Sequence, residues 1–346
     1  MKKLTISEIA QLAGVSKATV SRVLNGYPHI SAEVRQQVQK VITETGFQPN
    51  NVARLLATDR SNMIGLVIPT GPQAVLSVFT DPYFPTLTQG ISQVANQNHL
   101  TLALFIFHSA QEGREKFKSI LTTGLLDGLV ITADRKDDYY ISVLNEYEMP
   151  FVLIGRLKNM DNVTSIDTDN FGGGYMATKH LIDLGYRRIG TVSSKQNFSG
   201  EARYDGYRRA LEKHNIPFNE RLVAFGDYSL DSGYNGTQQI IPEKPEAVFA
   251  ASDTMALGAI RALREAGLYV PNDVAVVGYD DLPPAIQSDP QLTTIQQPIE
   301  ETGRLAVETL IELIDNRSLP PRHVILPNQL IVRASSGAVQ LKSSYE

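Results

Sequence analysis

The sequence predicts a small helix-turn-helix headpiece followed by an α/β core of two doubly wound parallel-sheet lobes. Three observations carry this. From Thr5 to Asn25 the stretch TISEIAQLAGVSKATVSRVLN reads as two short helices around a tight turn. From Met63 onward, short apolar strands alternate with amphipathic helices, the pattern of parallel sheets covered on both faces. That rhythm runs through two successive series, and 346 residues is long for one core.

The first helix opens at Thr5. Glu8 stands at capping-box spacing from it, so hydroxyl and carboxylate can each satisfy a free backbone N–H. Ile6, Ile9, Ala10 and Ala13 recur at helical spacing. Gly14 permits a left-handed turn, and Ser16 is a good N-cap for a second helix from Lys17. Val20, Val23 and Leu24 give this helix an apolar stripe, while Lys17, Ala18, Ser21 and Arg22 form its other face. Small and basic residues exposed on a short, braced helix suit the recognition helix of a helix-turn-helix; an ordinary helical hairpin is the competing reading. Asn25-Gly26-Tyr27-Pro28 is a turn signal, and Ser31 can cap a third helix running to about Glu44. The segment NVARLLATDRSN then sets Val52, Ala53, Leu55 and Leu56 at helical spacing, too short to hold a helix alone. Two readings of it stay open: Leu56 wedges between base steps, or the leucines of a plain linker helix pack on the body.

In the core, MIGLVIP, TLALFIF, DGLVIT, FVLIG and TSIDTD are strands, with helices near 85–97, 110–122 and 139–147. A second series follows, with helices near 172–184, 202–214, 232–241 and 254–266 between the strands RIGTVS, LVAF, AVFAAS and VAVVGYD. The tail breaks the rhythm with LTTIQQP, a long helix over 300–316, RHVILP and QLIVR, pieces expected to complete both sheets. A cleft between such lobes, at the carboxyl ends of the strands, is where an α/β protein binds a ligand.

Composition narrows the function classes. The absence of cysteine excludes disulfides, thiol catalysis and thiolate metal sites. No phosphate-binding, zinc-protease or nucleophile-elbow motif appears. Gly172-Gly173-Gly174 reads as a flexible helix entry rather than a phosphate cradle. Asp280 and Asp281, adjacent on a strand, point opposite ways and do not suit paired acid–base work. No signal peptide or membrane-length apolar run is seen, so the cytoplasm is the expected compartment, with no membrane partner. The net charge of −5 hides an asymmetry: the chain through Arg60 carries +4 and the remainder −9, a basic head on an acidic body.

The motifs AGVSKATVSRVLNG, GFQPNNVARLLA, DPYF, HLIDLGYRRIG, ARYDGYRRAL, SDTMALGAIRAL and VPNDVAVVGYDD, in this order, resemble the LacI/GalR family of bacterial transcriptional repressors from Thr5 to about Ser335. The resemblance implies a core of the type I periplasmic-binding-protein kind. It also implies a homodimer on double-stranded, pseudo-palindromic operator DNA, and a small-molecule effector, a sugar by preference. It makes Lys17 and Ala18 the principal readers of base edges, with Arg22 further along the same face. Thr19 and Ser21 fall at or near phosphates, Asn25 and His29 near the backbone, and Thr5 and Ser16 complete the set. Asn50, Ala53 and Leu56 fall on hinge positions, Leu56 as the minor-groove wedge. For the effector it implies Tyr83, Phe84, Arg156, Arg203, Tyr228, Ser252, Asp253, Asp280 and Gln297, with His108 as a further lining residue. Aromatic faces can cover the C–H face of a sugar while Arg and Asp bond neighbouring hydroxyls. Ser252 stands where some sugar-binding members have asparagine, and Arg156 where some have aspartate.

The expected division is a headpiece over 1–48, a hinge helix and linker over 49–62, and an effector-binding and dimerisation core over 63–340. Within the core, 63–160 and 292–320 are expected in one lobe, and 161–291 and 321–340 in the other. No catalytic residue, cofactor or metal is expected. A sugar-binding receptor or an enzyme on the same two-lobed core is the alternative.

Overall fold

The caps written into the head are the ones it uses. The structure is a computed structural model that describes residues 4–24, 27–47, 60–68, 78–107, 109–132, 139–157, 162–195 and 197–338. It divides into two units, Met1–Ser61 and Asn62–Glu346. In the first, helix α1 (Ile6–Leu12) starts on a complete capping box between Thr5 and Glu8. Gly14 takes φ +61° in the turn before α2 (Lys17–Leu24), where Ser16 Oγ accepts from the Thr19 N–H at 3.1 Å. Ser31 caps α3 (Ala32–Thr45) by accepting from the Val34 N–H. Ile9, Ala10, Ala13, Val20, Val23, Val38 and Phe47 are buried together between the three helices.

The second unit holds two six-stranded sheets. The strands are β1 (Met63–Ile68), β2 (Thr101–Ile106), β3 (Gly128–Thr132), β4 (Phe151–Ile154), β5 (Ser165–Thr168), β6 (Ile189–Ser193), β7 (Val223–Phe225), β8 (Ala247–Ala250), β9 (Ala275–Asp280), β10 (Thr293–Gln296), β11 (His323–Leu326) and β12 (Gln329–Ile331). The first sheet has the order β11-β5-β4-β3-β1-β2 and is parallel throughout. The second has the order β12-β10-β9-β8-β6-β7, parallel except that β12 runs antiparallel to β10. Helices α4 (Tyr83–Gln97), α5 (Ala110–Thr122), α6 (Tyr139–Glu146) and α12 (Ile299–Asp315) belong to the first lobe. The second lobe takes α7 (Asn170–Asp183), α8 (Phe198–Lys213), α9 (Leu230–Ile240), α10 (Asp253–Glu265) and the short α11 (Pro283–Gln287). Fully buried strands such as β3 and β9 explain the unbroken apolar runs of the sequence.

The lobe boundaries expected within 63–340 need correction. Residues 165–168, expected in the second lobe, pair with β4 in the first. Residues 293–296 pair with β9 in the second lobe, and 323–326 pair with β5 in the first. Alternating strands and helices fix the order of elements along the chain. They do not fix which sheet edge a late strand joins. The chain therefore crosses between lobes three times, at 168–170, 297–298 and 327–328.

The triple glycine also differs from its expected role as a flexible entry. It lies inside α7, and Gly173 and Gly174 are buried. A Cβ on Gly174 would overlap the Arg203 carbonyl oxygen, and one on Gly206 the Phe171 carbonyl oxygen, so these glycines let α7 and α8 touch backbone to backbone. Gly174→Ala is expected to cost about 1–3 kcal/mol through overpacking, read as a lowered urea midpoint with an unchanged m-value. An unchanged midpoint would refute the close approach.

Candidate functional site

In the head, α2 divides cleanly into two faces. Val20 and Val23 are buried, Lys17, Ala18 and Arg22 are exposed, and Thr19 and Ser21 are half-buried. Ser16 and His29 are exposed, and Ser16 Oγ also lies 2.9 Å from Thr19 Oγ1. Thr5 is exposed, with its hydroxyl engaged by Glu8. Asn25, Asn50, Ala53 and Leu56 lie outside the described residues.

In the core, the side chains converge where the three crossovers meet the carboxyl ends of the strands. Arg203, on the second turn of α8, is 5% exposed. Its Nε donates to Asn170 Oδ1 at 2.8 Å and its Nη1 to the Ala251 carbonyl oxygen at 2.6 Å. Its guanidinium carbon lies 3.8 Å from the centre of the Tyr279 ring, and Nη1 stands 3.6 Å from Asp280 Oδ1. Burial disfavours the Arg203 charge, but Tyr279 and Asp280 outweigh it and raise the pKa. Asp280 ends β9, and its Oδ1 accepts from Gln297 Nε2 at 2.5 Å. Gln297 Oε1 in turn accepts from the Thr168 hydroxyl at 2.8 Å. Burial lifts the Asp280 carboxyl to about 7 against the pull of Arg203, with the Asp81 charge adding to the rise.

Two aromatic residues border this cluster. Tyr83, at the start of α4, packs edge-on against Phe84 with ring centres 5.3 Å apart. Its hydroxyl pKa is raised by burial and by the nearby Asp280 charge. Tyr228, at φ +70°, donates its hydroxyl to Asn197 Oδ1 at 2.7 Å. Arg156 is exposed and acts electrostatically on Asp167, whose carboxyl burial lifts to about 6. His108 lies outside the described residues.

Ser252 and Asp253 spend their polar atoms inside the second lobe. Ser252 caps α10 by accepting from the Met255 N–H. Asp253 Oδ2 accepts from the Leu282 N–H at 2.8 Å and Oδ1 from the Thr294 hydroxyl at 2.5 Å. Burial and the Asp280 charge push the Asp253 carboxyl upward. These bonds pin the turn after β9, where Asp280 and Asp281 both take positive φ, +120° and +59°. The two neighbours face different partners: Asp281 pairs with Arg333 Nη2 at 2.6 Å and accepts from Gln296 Nε2 at 2.8 Å.

Sequence reasoning missed Asp81, Asp167, Thr168, Asn170 and Tyr279. The available signal was DTDN at 167–170, a polar cluster that ends β5 and opens α7. Among the described residues, no group of three or more His, Asp or Glu side chains could hold a metal ion, and no helix is long and apolar enough to cross a membrane.

Comparison with known proteins places both units. Residues 5–50 match the family described as bacterial regulatory proteins, lacI family, and residues 178–336 match a periplasmic binding protein-like domain. The HTH-type transcriptional regulator CelR of Thermobifida fusca is 36% identical over 96% of this chain and 98% of its own. A solved CelR–cellobiose complex superposes with a TM-score of 0.76 at 34% identity, covering 96% of this chain and 99% of that one. The lac repressor dimer bound to operator and the anti-inducer ONPF superposes with a TM-score of 0.82 at 29% identity, covering 97% and 99%.

The raised carboxyl of Asp280 has a signed consequence. A carboxyl whose folded-state pKa lies above its unfolded value contributes stability that is complete below the unfolded pKa, about 3.9, and is lost as pH rises through the folded pKa. The window here is therefore about pH 4 to 7. Asp280→Asn keeps the shape without the charge, so its melting temperature relative to the unsubstituted protein is expected to climb by about 2–4 °C or more between pH 5 and pH 8. A difference that does not change with pH would contradict this.

Proposed function

The chain belongs to the lacI family of bacterial regulatory proteins, and from that premise we propose that it represses carbohydrate-utilisation genes in answer to a sugar held between its core lobes. It is a DNA-binding transcriptional regulator and not an enzyme. The observation that carries the ligand reading is the buried fork of Arg203, Asp280 and Gln297 at the crossovers. A guanidinium and a carboxylate facing one space can bond adjacent hydroxyls as donor and acceptor, while Tyr83, Phe84 and Tyr228 supply aromatic faces. Arg156 would complete the lining. Asp253 supports the site from behind by fixing the turn that presents Asp280, and Ser252 by capping the helix that carries Asp253.

The charge balance selects a neutral ligand. The buried Arg203 guanidinium already donates to Asn170 and the Ala251 carbonyl oxygen and stands 3.6 Å from Asp280. A phosphate added to this poorly solvated space would have to compete with those partners for the guanidinium. Cellobiose, bound by the relative CelR, is the first ligand to try.

On the DNA side, Lys17 and Ala18 would read base edges in the major groove, with Arg22 further along. Thr5, Ser16, Thr19, Ser21, Asn25 and His29 would position the helix on the backbone. The segment over 49–62 would form the hinge, with Asn50, Ala53 and Leu56 in the minor groove. A homodimer would match a pseudo-palindromic operator, and the protein would act in the bacterial cytoplasm. Ligand and operator would be linked by about 1–3 kcal/mol, equally in both directions.

The test is duplex selection from a random pool, followed by affinity measurement with and without sugars. Cellobiose is expected to change operator affinity between about fivefold and 150-fold; failure of every duplex to bind would sink the regulator reading. Exchanging Lys17 and Ala18 is expected to select a different half-site, and an unchanged selected sequence would move base reading elsewhere. In thermal-shift screening, neutral disaccharides are expected to raise the melting temperature and glucose 6-phosphate to leave it unmoved. The reverse order would overturn the charge argument.

A further inference from the structure

One amide joins the candidate ligand site to the segments that connect the lobes. Asn328 sits in the third crossover, between β11 and β12. Its Nδ2 donates to the Asp169 carbonyl oxygen in the first crossover and to the Tyr279 phenol oxygen, each at 2.8 Å. The Tyr279 ring is wholly buried beneath the Arg203 guanidinium. Helix α7 approaches so closely that a Cβ on Gly173 would overlap the phenol. A backbone bond from the Asp169 N–H to the Leu326 carbonyl, 3.0 Å, runs alongside. The second crossover enters through Gln297, which accepts from Thr168 and donates to Asp280.

The three crossovers are thus bonded to one another and to the Arg203–Asp280 pair. Asn328 Oδ1 is buried and has no hydrogen-bond partner among the described residues. Its donor side bridges two crossovers at a point that one step, through Tyr279, connects to Arg203.

We propose that Asn328 is the positioning residue of the ligand response: with Tyr279 it ties Arg203 to the first and third crossovers, so that a ligand engaging Arg203 changes the relation of the two lobes. A side chain that merely filled space would not couple a guanidinium to two crossovers. The proposal rests on the reading of the core as a ligand-responsive regulator.

Its first test needs no ligand. The chain has no cysteine, so spin labels can be placed at the exposed positions Glu115 of the first lobe and Lys213 of the second through Glu115→Cys and Lys213→Cys. In the full-length protein, Asn328→Ala and Tyr279→Phe are each expected to broaden the interlobe distance distribution at least 1.5-fold, and the double variant no more than either alone. Unchanged widths in both variants would overturn the proposal. Tyr279→Phe removes a single oxygen, so it decides the matter should Asn328→Ala fail to fold. The second test uses cellobiose and the selected operator duplex. The ratio of operator affinities without and with cellobiose should fall toward one by about fivefold in each variant, with sugar-free operator affinity within about threefold of the unsubstituted protein. A preserved ratio counts against the proposal. If cellobiose leaves the unsubstituted protein's operator affinity unchanged, that outcome falls on the choice of sugar in the functional reading, and the distance distributions still decide this one.

Discussion

The core is built around a buried positive charge. Taking the Arg203 guanidinium out of water is expensive, and such a group persists only where acceptors surround it. Here they come from every direction: Asn170 from the first crossover, the Ala251 carbonyl beyond β8, the Tyr279 ring beneath and Asp280 beside it. To reach that position α8 must lie against α7 with no side chain between, which is what Gly174 and Gly206 allow. The helix packing and the placement of the charge are one requirement.

The same cluster is left unfinished on one side. At 3.6 Å, Arg203 and Asp280 are near but not in close contact, and the Asp280 carboxyl is lifted to about 7. Asp280 and Asp281 hold positive φ, a conformation that costs energy in residues other than glycine. It persists because Gln297, Gln296, Arg333 and the Asp253–Leu282 bond hold both sides of the turn. Strained backbone and incompletely paired charge at a lobe junction suit a site whose bonding changes when hydroxyls arrive. A site made for rigidity would have closed the ion pair.

Local chemistry made the head and the strand–helix alternation legible. The Thr5–Glu8 box, Gly14 and the Ser31 cap stand where the sequence puts them because each acts within a few residues. Partner choice among strands was not legible. Nothing in TTIQ or HVIL says that the first joins β9 and the second β5, since both are short, β-branched and able to extend either sheet. The site divided in the same way. Arg203 and Asp280 lie in motifs that could be aligned with a family. Thr168, Asn170, Tyr279 and Asn328 take their roles from three crossovers meeting in space. The start of α8 at Phe198 was missed because its cap, Asn197, precedes a glycine-containing turn rather than an apolar stripe.

The two units carry their proposed recognition groups in different ways, and the difference follows from solvent. On α2, Val20 and Val23 carry the packing, while Lys17, Ala18 and Arg22 are exposed. Changes there can alter what is read with little effect on stability, since exposed substitutions away from caps are usually close to neutral. In the core the groups proposed to recognise the ligand are themselves structural. Arg203 and Asp280 are buried, and replacing either leaves its partner unpaired in a low-dielectric setting. On the proposed reading, ligand specificity would therefore be more easily altered at the exposed Arg156 than at the buried centre. The centre is constrained because it holds the lobes' crossovers, and the proposed function asks it to hold a ligand as well, the double duty through which occupancy of the cleft would be felt outside it.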